Sequence, residues 1–600
     1  MSTQHTNGVS HDVVIVGAGV AGSLLAKRLT SLGLRVLIIE AGPATPWSFD
    51  GYTRHVETYF AAASKGAESP WPPAIGAPQP DSRDVATGDG YFVQTGPQRY
   101  GSTYTRAQGG STLHWLGVSL RMLPEDFVLR SRFGVGRDWP LGYAALEPYY
   151  QQAEFEMGVA ADCADQTHSG VEFAPGYDYP MERIPPSYSD KVLAAAVDGM
   201  DTTVGGVPVA VTIRSYPAAR NSIPRNGYRP VGAVDVRPYG QALGRDLGQR
   251  CAGNTACTPI CPIQAKYNAG KSLAQADRSK LQVIAQAVAS KVLVDPVSGQ
   301  VGGVEYQRYD DPASPRHTVH LARGRAYVLA AHAVENAKLM LASGLGSGSG
   351  MLGRNLMDHP SIYGWGLAPA PIGPFRGPLS TSGIDDARSG AFRAQHGAFR
   401  VDIGNDGWRA TTGAPDSTVA DGVMTRGLYG EDLLCHLRSV LSRQVRFSLN
   451  VEQLPSPDNR VTIDPRYLDA LGNPRPVIDY DIDDYTLAGM AAAKRFYQDV
   501  FARAGIEDAS DHAKGSWFPS VTYQGEEYHY HGMGHFAGTH VMGDDPTSSV
   551  VDADQRSWEH HNLFLIGSGS FPTMGTSNPT LTLAALALRT ADRLERELRG

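Results

Sequence analysis

Residues His11-Asp12-Val13-Val14-Ile15-Val16 make a short apolar run rich in β-branched side chains. They lead without interruption into Gly17-Ala18-Gly19-Val20-Ala21-Gly22 and then into a helical pattern, Ser23 to Leu29. A second apolar run, Val36-Leu37-Ile38-Ile39, ends at Glu40. This spacing predicts a βαβ unit that binds a dinucleotide. Gly17 permits the tight turn, Gly19 lets backbone approach a pyrophosphate, and Gly22 lets helix pack on strand. Val20 and Ala21 open the helix, whose N-terminal N–H groups and partial positive charge suit phosphates. Glu40 sits where a ribose hydroxyl would donate to it.

The rest of the chain has to be organised around that unit. Six hundred residues exceed what one simple core sustains, so two domains are expected. The composition, 42% hydrophobic and 19% charged, is that of a globular protein. A net charge of −8 with acids and bases intermixed argues against a nucleic-acid surface. No apolar run reaches the roughly 18–20 residues a membrane helix needs. The polar N-terminus carries no signal-peptide pattern, which predicts a cytoplasmic protein. Export in company with a signal-bearing partner is compatible with that reading. Five cysteines are present; Cys163 and Cys435 stand alone, while Cys251, Cys257 and Cys261 cluster, unlike a disulfide framework.

Residues 46–100, rich in Gly, Pro and aromatics, read mostly as loop. Gly109-Gly110-Ser111 is a second close-approach glycine pair. Leu146, Tyr149, Tyr150, Ala153 and Met157 have helical spacing after Asp138-Trp139-Pro140. Strands are expected over 280–294 and 301–308, and Ala326–Ala330 reads as a buried strand before a helix from Glu335. Residues 364–430 read as long surface loops or a lid. Arg443 to Leu454 alternates like a half-exposed strand. The C-terminus returns to strand, glycine turn and amphipathic helix, Asn562 to Arg599, so one domain is expected to assemble from distant segments.

These residues together resemble the glucose-methanol-choline (GMC) family of flavin oxidoreductases. The resemblance spans nearly the whole chain. It rests on the Gly17–Gly22 turn with Glu40, on Gly109-Gly110-Ser111, on His535-Phe-Ala-Gly-Thr-His540-Val-Met-Gly543, and on Gly575-Thr-Ser-Asn578-Pro579-Thr580-Leu-Thr. Gly134–Pro140, Gly353-Arg-Asn-Leu-Met-Asp-His-Pro360, Val550-Val551-Asp552 and the cysteine run Cys251–Pro262 resemble the bacterial FAD sugar dehydrogenase large subunits. Pyranose and glycoside oxidases come next. The fold implied is mixed α/β and α+β. A Rossmann-like FAD domain (10–130, 240–360, 536–600) would carry an inserted substrate domain on an antiparallel sheet (131–239, 361–535).

The family pattern implies His535 as the base that takes a hydroxyl proton, Asn578 as its partner, and flavin N5 as hydride acceptor. A near-neutral imidazole suits the first task. The expected FAD contacts are Gly17, Gly19, Val20, Ala21, Gly22, Glu40, Ala41, Arg106, Gly109, Gly110, Ser111, His114, Trp115, Val288, Gly567, Ser568, Asn578, Pro579 and Thr580. FAD is expected without a covalent bond, although some pyranose oxidases attach it near the position of His114. Tyr528, His529, Tyr530 and His540 are expected at a sugar pocket. The resemblance implies a [3Fe-4S] cluster on Cys251, Cys257 and Cys261. A zinc site completed by a histidine, or three thiols packed as small apolar groups, also suits those residues. A cytochrome acceptor and a small chaperone-like subunit would be the partners of a sugar or glycoside dehydrogenase. The alternative is an oxidase that passes electrons to O2 and makes H2O2.

Overall fold

The computed structural model describes residues 11–44, 91–230, 250–251, 261, 264–375, 378, 380–408, 416–510 and 518–599. The loop expected over 46–100 falls largely outside them, as does Cys257.

Two sheets position everything that follows. The first is a five-stranded parallel sheet in the order 281–284, 36–39, 11–16, 324–329, 563–565. Its central strands are apolar on both faces because helices cover one and the three-stranded sheet 287–294, 301–308, 318–322 packs on the other. Val13, Val14, Ile15 and Val16 are all buried, as are Val36 to Ile39. On one face the helix Val20–Ser31 and the C-terminal helix Pro579–Arg599 pack together through Leu25, Leu29, Ala587, Ala591 and Leu594. Burying each such leucine contributes about 2 kcal/mol, so this face alone anchors both chain ends. The helix expected at 335 begins at Ala333, and the one with spacing through Met157 is Tyr143–Met157.

The second is a seven-stranded antiparallel sheet. Its order is 507–508, 360–367, 444–451, 399–404, 380–384, 213–215, with 531–532 paired to 360–361. Two of its strands, Ser380–Ile384 and Phe399–Gly404, lie inside the stretch that reads as loop. Glycines hide them. A Cβ on Gly383 would stand 1.9 Å from the Tyr216 hydroxyl, so packing demands a residue that weakens the strand signal.

The strand Gln444–Val451 alternates as expected, but it is not half-exposed. Val445, Phe447, Leu449 and Val451 lie on one face. Phe447 meets Phe501 of the long helix Asp484–Ala504 at 5.1 Å between ring centroids. The alternate face carries Arg446 and Ser448 into an interior cavity rather than bulk water, and Asn450 bonds Asp402 beside it. A one-residue slip would bury the arginine against that helix, so register is strongly specified. Among the described residues no helix is long and apolar enough to cross a membrane.

Candidate active site

One continuous cavity of about 520 Å³ runs from the parallel sheet to the polar face of the antiparallel one. Its first end is made largely of backbone. Gly17 has φ +102°, and a Cβ there would stand 2.6 Å from the Ala330 carbonyl. A Cβ on Gly19 would meet nothing within 4 Å, so the helix N-terminus opens directly onto the cavity. Gly110 approaches it so closely that its Cβ would lie 3.3 Å from Gly19 Cα. Glu40 is buried and accepts N–H bonds from Ala18 and Gly42, 2.8 Å each, one on each oxygen. Burial raises its pKa while those bonds oppose the rise. Each carboxylate oxygen keeps a second lone pair for a ligand hydroxyl. This cradle, with space only where glycine leaves it, fits a dinucleotide.

Val20, Ala21, Ala41, Arg106, Ser111, His114, Trp115, Val288, Gly567, Ser568, Pro579 and Thr580 also line the cavity. Gly22 and Gly109 do not line it and act from behind. Gly22 leaves room for the Gly17 carbonyl, and Gly109 donates its N–H to the Ala18 carbonyl at 3.0 Å. His114 is held neutral, its pKa lowered to about 3 by burial and by the nearby Lys266 ammonium.

Where the two sheets meet, four side chains form a chain of hydrogen bonds whose protons can be assigned. The Gly575 carbonyl can only accept, so His359 Nε2, 2.9 Å away, carries a proton. Burial lowers the His359 pKa to about 3, so the ring is neutral and its Nδ1 is a lone pair. His535 Nδ1, 2.8 Å from it, must then donate. His535 is also neutral; burial, His359 and the Arg400 cation hold its pKa well below 6.5. Its Nε2 is therefore an acceptor, and Asn578 Nδ2 donates to it at 3.0 Å. Arg400 fixes the amide by donating to Asn578 Oδ1 at 2.8 Å, and holds the loop by donating to the Thr576 carbonyl at 2.8 Å. Asp402 pairs with the same guanidinium.

Asp358 supports the assembly from below. Its Oδ1 accepts from the backbone N–H of His359, Met533 and His535, and its Oδ2 from Ser102. Burial raises its pKa to about 6. His359, Asp358, Ser102 and Arg400 carried no role in the sequence reading. Arg400 had a detectable signal in the alternation of Phe399-Arg-Val-Asp-Ile-Gly404.

Four expected pocket residues are elsewhere. Tyr528 and His529 sit on the hairpin Ser520–Tyr523/Glu526–His529, where Lys494 lies over the Tyr528 ring at 5.4 Å. Tyr530 turns away and donates to the Arg99 carbonyl at 2.7 Å. His540 is packed behind the site against Gly569, its backbone N–H on the Gly569 carbonyl at 2.8 Å. The cavity is lined instead by His531 through His535, after the chain joins the sheet edge. Cys251 and Cys261 are described, Cys261 buried; among the described residues no three His, Cys, Asp or Glu gather as a metal site.

The GMC oxidoreductase family model matches residues 190–361 and 455–587. The fructose dehydrogenase large subunit of Gluconobacter japonicus is 32% identical over 606 aligned residues, covering 98% of this chain and 99% of that protein. Paromamine 6'-oxidase of Streptomyces fradiae is 26% identical, covering 98% and 92%. The structure of a formate oxidase from Aspergillus oryzae superposes with a TM-score of 0.61 at 14% identity, covering 99% of each chain, which shows a shared fold.

Proposed function

The chain belongs to the GMC oxidoreductase family, and on that footing we propose that it is an FAD-dependent dehydrogenase acting on a sugar or glycoside hydroxyl, with His535 as the base. The family implies FAD and chemistry on CH–OH donors. When bound, FAD supplies the hydride acceptor. Gly17, Gly19, Gly110 and Glu40 would hold it, without a covalent bond to His114.

The observation that carries this reading is the ordered chain Gly575–His359–His535–Asn578–Arg400. It leaves His535 Nε2 unprotonated, its single lone pair held by Asn578 Nδ2 until a substrate oxygen enters between them. A substrate hydroxyl donates its proton to that atom, and Asn578 Nδ2 donates to the substrate oxygen. The His359 lone pair accepts from the resulting imidazolium, so the charge formed on His535 is not left unpaired. Fixing oxygen and base in this way aligns the carbinol C–H before reaction, and such positioning contributes several kcal/mol.

For electron exit, Cys251, Cys257 and Cys261 would hold a [3Fe-4S] cluster, which supplies one-electron transfer when bound. Lys271, buried beside Cys261, adds a cation that suits a thiolate set; its own pKa is lowered to about 8 by burial. The acceptor would be a cytochrome partner, with a small chaperone-like subunit. The relative from Gluconobacter is itself named a large subunit, which supports that reading.

The test is anaerobic mixing of flavin-loaded protein with a panel of neutral sugars, followed by flavin bleaching. The wild type bleaches with at least one sugar, and His535→Ala keeps flavin but slows about 10²–10⁴-fold. Near-normal bleaching by His535→Ala removes the base assignment. Iron and sulfide assay tests the cluster; oxygen uptake matched by peroxide, without iron, makes the protein an oxidase.

A further inference from the structure

One face of the antiparallel sheet carries three successive rows of side chains, of which Tyr363, Ser448, Asp402 and Arg446 line the cavity. The strand register aligns Ser361, Asn450 and Arg400 in the first row, Tyr363, Ser448 and Asp402 in the second, and Trp365 and Arg446 in the third, with Gly404 next along its strand. The first row touches the catalytic pair, since Arg400 bonds Asn578. The third lies four residues along the strand Gln444–Val451, about 13 Å away at the usual rise per residue. That distance is well beyond the reach of one hexose ring held at His535.

The far row is built as a binding surface. Arg446 donates through Nε and Nη2 to Asp406 Oδ1, at 3.2 and 2.7 Å. Its Nη1 makes no hydrogen bond to any described residue. The guanidinium lies over the Tyr363 ring, 5.6 Å from its centroid. The guanidinium also lies close against Gly404, where a Cβ would stand 2.6 Å from Nη2. His531 stacks on Tyr363 at 6.3 Å and packs on Phe518, yet its ring nitrogens bond no described residue. Burial and Arg446 lower its pKa to about 4, so it offers one donor and one acceptor. The charges cancel in pairs, Arg400 with Asp402 and Arg446 with Asp406. The surface therefore suits a neutral, hydroxyl-bearing group lying against an aromatic wall.

We propose that Arg446, Asp406 and His531 form a distal subsite that binds the second unit of a neutral glycoside, a further sugar or an aglycone, while the ring to be oxidised sits at His535 and Asn578. This rests on the function proposed above and narrows it from sugars in general to glycosides. Arg446 Nη1 donates to a hydroxyl of the second unit, and the Tyr363 and His531 rings cover its apolar face.

The test compares, by anaerobic flavin bleaching, the fastest monosaccharide of the panel with a disaccharide and a phenyl glycoside of the same sugar. In the flavin-loaded wild type kcat/KM for the glycosides exceeds that for the monosaccharide at least tenfold. In Arg446→Lys, which keeps a cation opposite Asp406 but loses the free fork nitrogen, that ratio falls at least fivefold. His531→Gln, which keeps a donor and an acceptor but removes the wall, lowers it in the same direction. A monosaccharide used as well as its glycosides overturns the distal subsite and leaves the proposed function standing. So does a variant that slows both substrate classes equally. If no sugar of either class bleaches the flavin, the proposed function falls and the subsite with it.

Discussion

The two ends of the cavity are made of different material. At the dinucleotide end the working surface is backbone: glycines with no Cβ, exposed N–H groups, and one carboxylate tied to two of them. At the other end it is side chains, drawn from strands that meet only in the folded sheet and fixed by one another's hydrogen bonds. The glycines packed beneath the backbone surface tolerate almost no substitution, because a Cβ on Gly17 or Gly22 meets main chain that cannot move. Side-chain surfaces tolerate substitution of fold while losing function, because their neighbours can rearrange.

The largest effect that would test this contrast is Gly22→Ala. The new Cβ would stand 2.1 Å from the Gly17 carbonyl oxygen and 3.3 Å from Ile15 Cγ2. Neither helix nor strand can yield without breaking the first βαβ unit. The expected cost is about 4 kcal/mol or more, seen as a fallen Tm and loss of flavin from purified protein. Retention of both would show that the turn is softer than its packing implies.

The same contrast explains what was legible before folding. A backbone cradle needs its glycines at fixed spacing, so Gly17, Gly19, Gly22 and Glu40 announce themselves along a few dozen residues. The parallel sheet is equally readable, since strands buried on both faces are continuous apolar runs. The antiparallel sheet is harder. In Phe399–Gly404 and Gln444–Val451 the period of two is present, but a sequence cannot say whether the polar face meets solvent or a cavity. The glycine-rich strand at 380–384 loses even that signal. The family pattern singled out His535 and Asn578, which the structure brings within 3.0 Å of each other, whereas His359 and Arg400 acquire meaning only from which atoms they face. Tyr528 and Tyr530 were expected at the pocket for their rings and polar tips, and the structure places them on the hairpin and against the Arg99 carbonyl, a path that residue type alone does not announce.

Among side chains, His359→Phe is expected to have the largest effect. It preserves bulk but removes the acceptor that keeps the proton on His535 Nδ1. The ring of His535 is then free to place its proton on Nε2, where it can no longer take one from substrate. Turnover should fall roughly 10²-fold, the scale of a base held in the wrong tautomer, with flavin content unchanged. A conserved rate would mean that Asn578 alone selects the tautomer.

A smaller effect follows from charge. Burial, His359 and the Arg400 cation keep His535 neutral well below pH 6.5. The acid limb of kcat/KM in the wild type therefore lies below that value, because activity is lost only as pH falls through the lowered pKa. Arg400→Gln keeps a donor for Asn578 but removes the positive charge. The His535 pKa rises, and the acid limb moves to higher pH. Near pH 6 the loss should be up to about tenfold and should recover on raising the pH. A uniform loss at all pH values would assign Arg400 to positioning alone.

The smallest effect separates the two kinds of surface within one residue. Gly404→Ala adds a Cβ, as Gly22→Ala does, but the atoms it meets are Nη2, Cζ and Nε of Arg446, at 2.6 to 2.9 Å. These belong to the far end of a flexible side chain, and Gly404 shows no positive φ that alanine would strain. The guanidinium can swing aside, so stability should change by less than about 1 kcal/mol and flavin should stay bound. What moves is the fork that Asp406 and Tyr363 hold in place. KM for a glycoside should rise severalfold with kcat nearly constant, since the ring at His535 is untouched. If stability collapses as it does for Gly22→Ala, the third row is as rigid as the dinucleotide cradle, and the contrast between backbone and side-chain surfaces fails at this point of the sheet.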